Sequence, residues 1–129
     1  MKKKIAFICV HNSCRSQIAE ALCKHFANDK FECYSAGTEI AQNINPDAIR
    51  LVNQIYDIDM NKTQFPKMIS DIPEVDIVVT MGCNVSCPTM PCKHREDWGL
   101  SDPTGKTDNE FISVIHLIES KVKNLNSRF

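Results

Sequence analysis

Residues 9–16 read Cys-Val-His-Asn-Ser-Cys-Arg-Ser (CVHNSCRS) and lie between two apolar patterns of different period. Before them, residues 4–10 (KIAFICV) form a short apolar run suited to a buried parallel strand. After them, residues 15–28 bring Ile18, Ala21, Leu22, His25 and Phe26 together at helical spacing, with Glu20 and Lys24 turned outward. A strand thus ends on a thiol and a helix begins on a guanidinium. The five residues between Cys9 and Arg15 suffice for one closed loop. The helix behind that loop presents unpaired N–H groups and the positive end of its dipole, which suit a tetrahedral anion. Arg15 adds a planar, two-pronged donor. Val10, His11, Asn12, Ser13, Cys14, Arg15 and Ser16 are therefore read as an oxyanion cradle, with Cys9 as the nucleophile at its base. A thiol beside a helix N-terminus and a cation is activated. Ser13 and Ser16 are placed to donate to its thiolate, and Asn12 tolerates a left-handed backbone in the loop.

Working outward, the chain alternates strands and helices. Residues 31–36 read as a second strand closed by Gly37. Asn45-Pro46-Asp47 is a helix start, with Asn as cap and Pro at the first helical position. Ile49, Val52, Ile55 and Tyr56 are expected on the inner face of that helix. Residues 76–81 (DIVVTM) read as a third strand, and a brief fourth is expected near 93–98. Thr107-Asp108-Asn109-Glu110 resembles a capping box, followed by Phe111, Val114, Ile115, Ile118, Val122 and Leu125 at helical spacing. The predicted fold is α/β: one domain over residues 1–129, with a small four-stranded parallel sheet flanked by helices and an anion loop after the first strand. In such sheets ligands sit beyond the carboxyl ends of the strands. Both the Cys9 loop and the segment beginning at Cys83 follow such ends.

Composition narrows the function. The chain has 129 residues, 43% of them apolar, and a net charge of −1, which provides no basic field for nucleic acid. No run approaches the ~18 apolar residues of a membrane span. The opening MKKKIAFICV has too short an apolar part for a secretion signal. A cytoplasmic monomer is expected. Seven cysteines, an odd number, argue against a static disulfide framework and for metal binding or catalysis.

Residues 82–106 form a long irregular stretch with three of the six prolines and three of the cysteines, Cys83, Cys87 and Cys92. A connection of that length in a small domain is usually functional or disordered, and its Cys, Trp and Pro content favours function. On a helical turn, four residues rise about 6 Å, within the roughly 4.4–6.8 Å Cα span of a disulfide. Cys83 and Cys87 can therefore close on each other with little rearrangement. The same stretch also permits a Cys3His zinc site from Cys83, Cys87, Cys92 and His94, although its spacing is irregular for zinc. Cys14, Cys23 and Cys33 are expected to be packing residues, and Trp98 to anchor the long stretch by burial.

CVHNSCRS followed by QIAEAL resembles the low-molecular-weight tyrosine phosphatase superfamily, and in particular its thioredoxin-coupled arsenate reductase branch. The likeness extends through YSAG (34–37), NPDAI (45–49), DIVVTM (76–81) and DWGLSDPTG (97–105). It implies Cys9 as nucleophile, Arg15 as anion clamp and Asp102 as general acid. Asp102 also stands in Ser-Asp-Pro, where Pro103 stiffens the backbone and a neutral carboxylic acid can protonate a departing oxygen. The branch further implies arsenate as substrate, with phosphate or sulfate able to occupy the site, a relay through Cys83 and Cys87, and thioredoxin as reductant. No cofactor is expected. This chain places fewer residues between Cys83 and Cys87 than related reductases do. Asn12, Glu20 and Ser35 match positions at which some relatives hold potassium, but residues 63–65 lack the remaining acid, and no metal is assigned. The alternative is a phosphatase using Cys9, Arg15 and Asp102 alone. Against it, Thr104-Gly105 follow Pro103 where phosphatase relatives carry aromatic residues that hold a phenyl ring.

Overall fold

The apolar run after the N-terminal lysines becomes β1 (Lys3–Cys9), the centre of the sheet. The computed structural model describes residues 2–39, 41–82 and 90–129. Around β1 stand β2 (Phe31–Gly37), β3 (Ile77–Thr80) and β4 (His94–Asp97), in the order β2-β1-β3-β4. All three pairings are parallel. Alternation along β1 divides its side chains between two faces. Ile5, Phe7 and Cys9 join the larger core, while Ala6 and Ile8 join a smaller one on the other face.

Helices α1 (Arg15–Phe26), α2 (Pro46–Tyr56) and α3 (Asp108–Arg128) all contribute to the larger core. Asn45 caps α2 by accepting from the amides of Asp47 (2.8 Å) and Ala48 (3.3 Å). Thr107 caps α3 by accepting from the Glu110 amide. A cap contributes about 1 kcal/mol, whereas each fully buried large apolar side chain contributes roughly 1.5–3 kcal/mol. The six expected α3 residues are all buried, so packing against the sheet outweighs capping in fixing that helix. On the smaller face, Ile69, Ile72, Tyr34, Met90 and Cys92 pack over Ala6, Ile8, Ala36, Val75 and Val78. Trp98 is buried with its ring 5.5 Å from that of Phe7, as its anchoring role requires. Among the described residues, no helix is long and apolar enough to cross a membrane.

Three helical expectations are corrected. Glu20 is buried, 3% exposed, because Lys24, Lys67 and Ser35 all bond its carboxylate. His25 is exposed at the end of α1, where its ring meets those of Phe26 and Tyr56. On α2 the buried residues are Ala48, Leu51 and Val52, and Ile55 is exposed. Two short 3-10 turns, Met60–Lys62 and Ile69–Asp71, were not legible in the pattern.

Register aligns the working ends of the strands. Cys9 pairs with Gly37, Ile8 with Thr80 and Thr80 with Asp97, so all four strands end on one rim. Gly37 is needed there for close approach. A Cβ at that position would lie 2.6 Å from the Val10 carbonyl oxygen and 3.0 Å from the Asn12 nitrogen, both backbone atoms of the loop. Gly37→Ala is expected to lower stability by about 1–3 kcal/mol, measured by urea unfolding. It should also weaken phosphate binding measured by calorimetry, because the loop must move. Unchanged phosphate affinity would show that Gly37 does not shape the loop.

Candidate active site

The loop after β1 is held from outside by its carbonyls. Val10, His11 and Ser13 oxygens accept from the amides of Glu39 (2.8 Å), Ala41 (3.2 Å) and Asn45 (2.7 Å). Across a planar trans peptide the next N–H points the opposite way. The amides of His11, Asn12 and Cys14 are thereby turned to the other side, an arrangement of donors suited to an anion. Asn12 takes φ = 52°, the left-handed turn expected of it.

A buried polar network fixes that turn. Asn12 is fully buried; its Nδ2 donates to Ser16 Oγ (2.9 Å). Its Oδ1 accepts from Gln17 Nε2 (2.9 Å) and the Lys67 amide (2.9 Å). Gln17 Oε1 accepts from Gln64 Nε2 at 2.7 Å. Lys67 Nζ continues the network to Glu20, at 3.3 Å from Oε1, and Glu20 also accepts from Ser35 Oγ at 2.5 Å. An ammonium thus already neutralises the carboxylate that matched the potassium position. Gln64 and Lys67 were missed in the sequence because Gln17 and Asn12, their partners in this network, lie 47 and 55 residues away and share no local motif with them; Gln17 is five residues from Asn12 but also reaches the Phe65 carbonyl, 48 residues away.

Arg15 has a divided role. Its Nη1 donates to the carbonyl oxygens of Met81 and Leu100, both at 2.6 Å. These bonds tie the guanidinium to the chain just after β3 and just after β4. Nη2 reaches Cys9 Sγ at 3.5 Å. Nε is buried without a partner among the described residues. Nη2 and Nε form one edge of the guanidinium, the edge that bonds two oxygens of an anion at once. The polar contact on Cys9 therefore comes from Arg15 rather than from Ser13 or Ser16. Ser16 Oγ is occupied as acceptor from Asn12 and retains its own O–H to donate.

Cys14 shares the loop but is a poor nucleophile. Burial, and then the charge of Asp102, push its thiol up to about 12, against the opposing effects of Thr104 and Arg15. Asp102 behaves otherwise than expected. Burial pushes its carboxyl up, but bonds from the Thr104 hydroxyl (2.7 Å) and amide (3.0 Å), with Arg15 and His11, outweigh this. The carboxyl is held below its usual range, so in the free site it is an anion at neutral pH rather than the neutral acid anticipated. The bond from Thr104 to Asp102 is the contact the sequence reading overlooked; a hydroxyl two positions after Asp is the signal of a side-chain turn that could have revealed it.

Cys83 and Cys87 lie outside the described residues. The chain leading to them is fixed: the Met81 amide donates to the Ile8 carbonyl (3.2 Å), and the Gly82 amide to Asp97 Oδ1 (2.8 Å). Gly82, with φ = 94°, is the last described residue before them and lies on the rim that carries Cys9. Cys92 packs instead on the smaller core and lines an opening with Lys2, Lys4 and Val75, near the start of β4. His94 bonds Glu96 through Nε2 at 2.8 Å.

The comparisons agree with this geometry. A family model described as low molecular weight phosphotyrosine protein phosphatase matches residues 4–129. An arsenate reductase of Bacillus cereus (strain 03BB102) is 41% identical over 125 residues, covering 95% of this chain and 92% of that protein. A solved arsenate reductase in the phosphate binding state superposes with a TM-score of 0.86 at 32% identity, over 99% of this chain and 98% of that one. The thioredoxin-dependent arsenate reductase of Corynebacterium glutamicum matches 96% of this chain and 60% of its own length, with a TM-score of 0.72 at 34% identity.

Thr104→Val should raise the Asp102 pKa toward its usual value, read by carboxyl NMR titration. The sign follows from linkage. A carboxyl depressed in the folded state adds stability above its unfolded pKa of about 3.9 and loses it as pH falls. The wild-type advantage should therefore shrink below that pH. An unmoved Asp102 titration in the variant would contradict the assignment.

Proposed function

The chain belongs to the low molecular weight phosphotyrosine protein phosphatase family, and within it we propose an arsenate reductase that converts arsenate to arsenite through Cys9, Cys83 and Cys87. The observation that carries the reading is the contact of Arg15 Nη2 with Cys9 Sγ beside a buried Nε that has no partner among the described residues. The names of the relatives support the same activity.

The oxyanion binds the loop amides and the free Arg15 edge. Cys9 thiolate attacks arsenic, and one arsenic–oxygen bond breaks. Asp102 is the proton carrier for the departing oxygen. As a carboxylate in the free site it gains proton affinity beside the incoming negative charge, and the protonated substrate itself supplies the proton. Cys83 thiolate then attacks the Cys9 sulfur. The sulfur–arsenic bond breaks, its electron pair stays on arsenic, and arsenite leaves as a Cys9–Cys83 disulfide forms. Cys87 attacks Cys83, releases Cys9 as thiolate and leaves a Cys83–Cys87 disulfide. Two thiols thereby supply the two electrons that arsenic gains. Thioredoxin, named in one relative, is the dithiol that restores the pair. Such a cycle belongs in the cytoplasm and needs one protomer.

Phosphate shares the shape of arsenate, so slow aryl phosphate hydrolysis is expected from Cys9, Arg15 and Asp102 without the relay. A coupled assay with arsenate, thioredoxin, thioredoxin reductase and NADPH tests the scheme. Cys9→Ser, Cys83→Ser and Cys87→Ser should each abolish NADPH loss, and Cys92→Ser should leave it unchanged. Aryl phosphate hydrolysis should disappear with Cys9→Ser and persist in the other three. Full turnover in both Cys83→Ser and Cys87→Ser would refute the relay.

A further inference from the structure

The peptide between Met81 and Gly82 is bonded on both sides. Its carbonyl oxygen accepts from Arg15 Nη1 at 2.6 Å, and its N–H donates to Asp97 Oδ1 at 2.8 Å. In a trans peptide these two groups point in opposite directions. Carboxylate, peptide and guanidinium therefore follow one another across a single peptide plane. A negative group on the N–H side and a positive group on the carbonyl side polarise that peptide in the same sense, so each bond strengthens the other.

The surroundings hold this arrangement in place. Thr80 Oγ1 donates to the same Asp97 oxygen at 2.6 Å, and Thr80 is the residue paired with Asp97 in the β3–β4 register. The Thr80 carbonyl oxygen accepts from the Trp98 amide at 2.8 Å. At Gly82 a Cβ would lie 3.1 Å from both the nitrogen and the oxygen of Leu100. That close approach sets the Leu100 carbonyl, the second anchor of Arg15 Nη1 at 2.6 Å, beside the first. Asp97 itself is exposed, and its place in β4 is fixed by the backbone ladder. The strand can therefore pair without this carboxylate, whereas the Met81–Gly82 peptide is oriented by it.

We propose that Asp97 is a positioning residue for the oxyanion: through the Met81–Gly82 peptide it sets the Arg15 guanidinium so that Nε and Nη2 face the anion. Its own bonds go to Thr80 and Gly82, so it acts through Arg15 and not on the reacting atoms. The role rests on the anion-binding reading of the Cys9–Arg15 loop, and it is tested with inorganic phosphate alone, apart from the thiol relay. A bond of this kind at an exposed carboxylate is worth about fivefold in affinity.

Phosphate affinity is measured by calorimetry in the full-length protein, in Asp97→Asn, Asp97→Ala and Arg15→Lys, and in the double variant Asp97→Ala with Arg15→Lys. Asp97→Ala should weaken binding about fivefold. Asp97→Asn keeps an acceptor for the Gly82 amide and should stay within about twofold of wild type. Lysine lacks the planar fork that joins the two carbonyls to the anion, so in the Arg15→Lys background Asp97→Ala should change affinity by less than about twofold. A role confined to the end of β4 would give the same loss in both backgrounds. Wild type supplies a second arm that needs no variant. Linkage requires bound anion to strengthen the Gly82–Asp97 bond by the factor that this bond adds to anion binding. Saturating phosphate should therefore slow exchange of the Gly82 amide hydrogen about fivefold, read by NMR. This arm decides alone if circular dichroism shows that Asp97→Ala does not fold. Equal losses in the two backgrounds, or a Gly82 amide unmoved by bound phosphate, would overturn the role of Asp97 and leave the anion site standing. A wild type that binds no phosphate would refute the anion site itself, and this role with it.

Discussion

The position of the Arg15 guanidinium governs the rest of the site. Its Nη1 is bonded to two carbonyl oxygens, of Met81 after β3 and Leu100 after β4. Hydrogen bonds to a charged donor contribute roughly 1.5–3 kcal/mol each, against roughly 1–3 kcal/mol for leaving a buried donor without a partner. The two anchors therefore outweigh the Nε–H, which has no partner among the described residues and can take an incoming acceptor. The arginine cannot collapse onto the thiol or swing into solvent without giving up both carbonyls. Sheet order and anion binding are in this sense one constraint: β3 and β4 must be in register for Arg15 to aim.

Beneath the loop, the buried chain of Asn12, Gln17, Gln64, Lys67, Glu20 and Ser35 does for the backbone what the carbonyls do for Arg15. Left-handed backbone at a non-glycine residue is persistent only when its surroundings over-determine it. Asn12 has a bonding partner on both ends of its amide, and its backbone oxygen also accepts from Gln17. A network this fully bonded is rigid, and a rigid array of N–H groups binds an anion without first being ordered.

Sequence reading recovered the strands, the three helices and the Cys9–Arg15 loop, because each has a local cause: an apolar run, a helical period, an Asn-Pro start. The left-handed turn at Asn12 and the anchor at Trp98 were legible for the same reason. Glu20 was misread as a solvent-facing residue because its position within α1 is polar by pattern, and two of the three groups that bond its carboxylate, Lys67 and Ser35, are distant in the chain. The ionised state of Asp102 was missed because burial and the bonds from Thr104 act in opposite directions, and their balance is a property of the folded loop. The short 3-10 turns have no period long enough to detect.

β3 and β4 are parallel neighbours, so the connection from Gly82 to His94 must return along the sheet from the rim to the opposite end. Met90 and Cys92, on that connection, pack against the smaller core. Arrival of successive sulfurs at one anion pocket is the claim on which the chemistry stands. A single turnover with arsenate and no external reductant, quenched by alkylation and mapped by mass spectrometry, tests it most directly. The account predicts a Cys83–Cys87 disulfide with Cys9 alkylated as a free thiol, and a Cys9–Cys83 disulfide when Cys87 is replaced by serine. Arsenite formed with Cys83 and Cys87 both still reduced would contradict it.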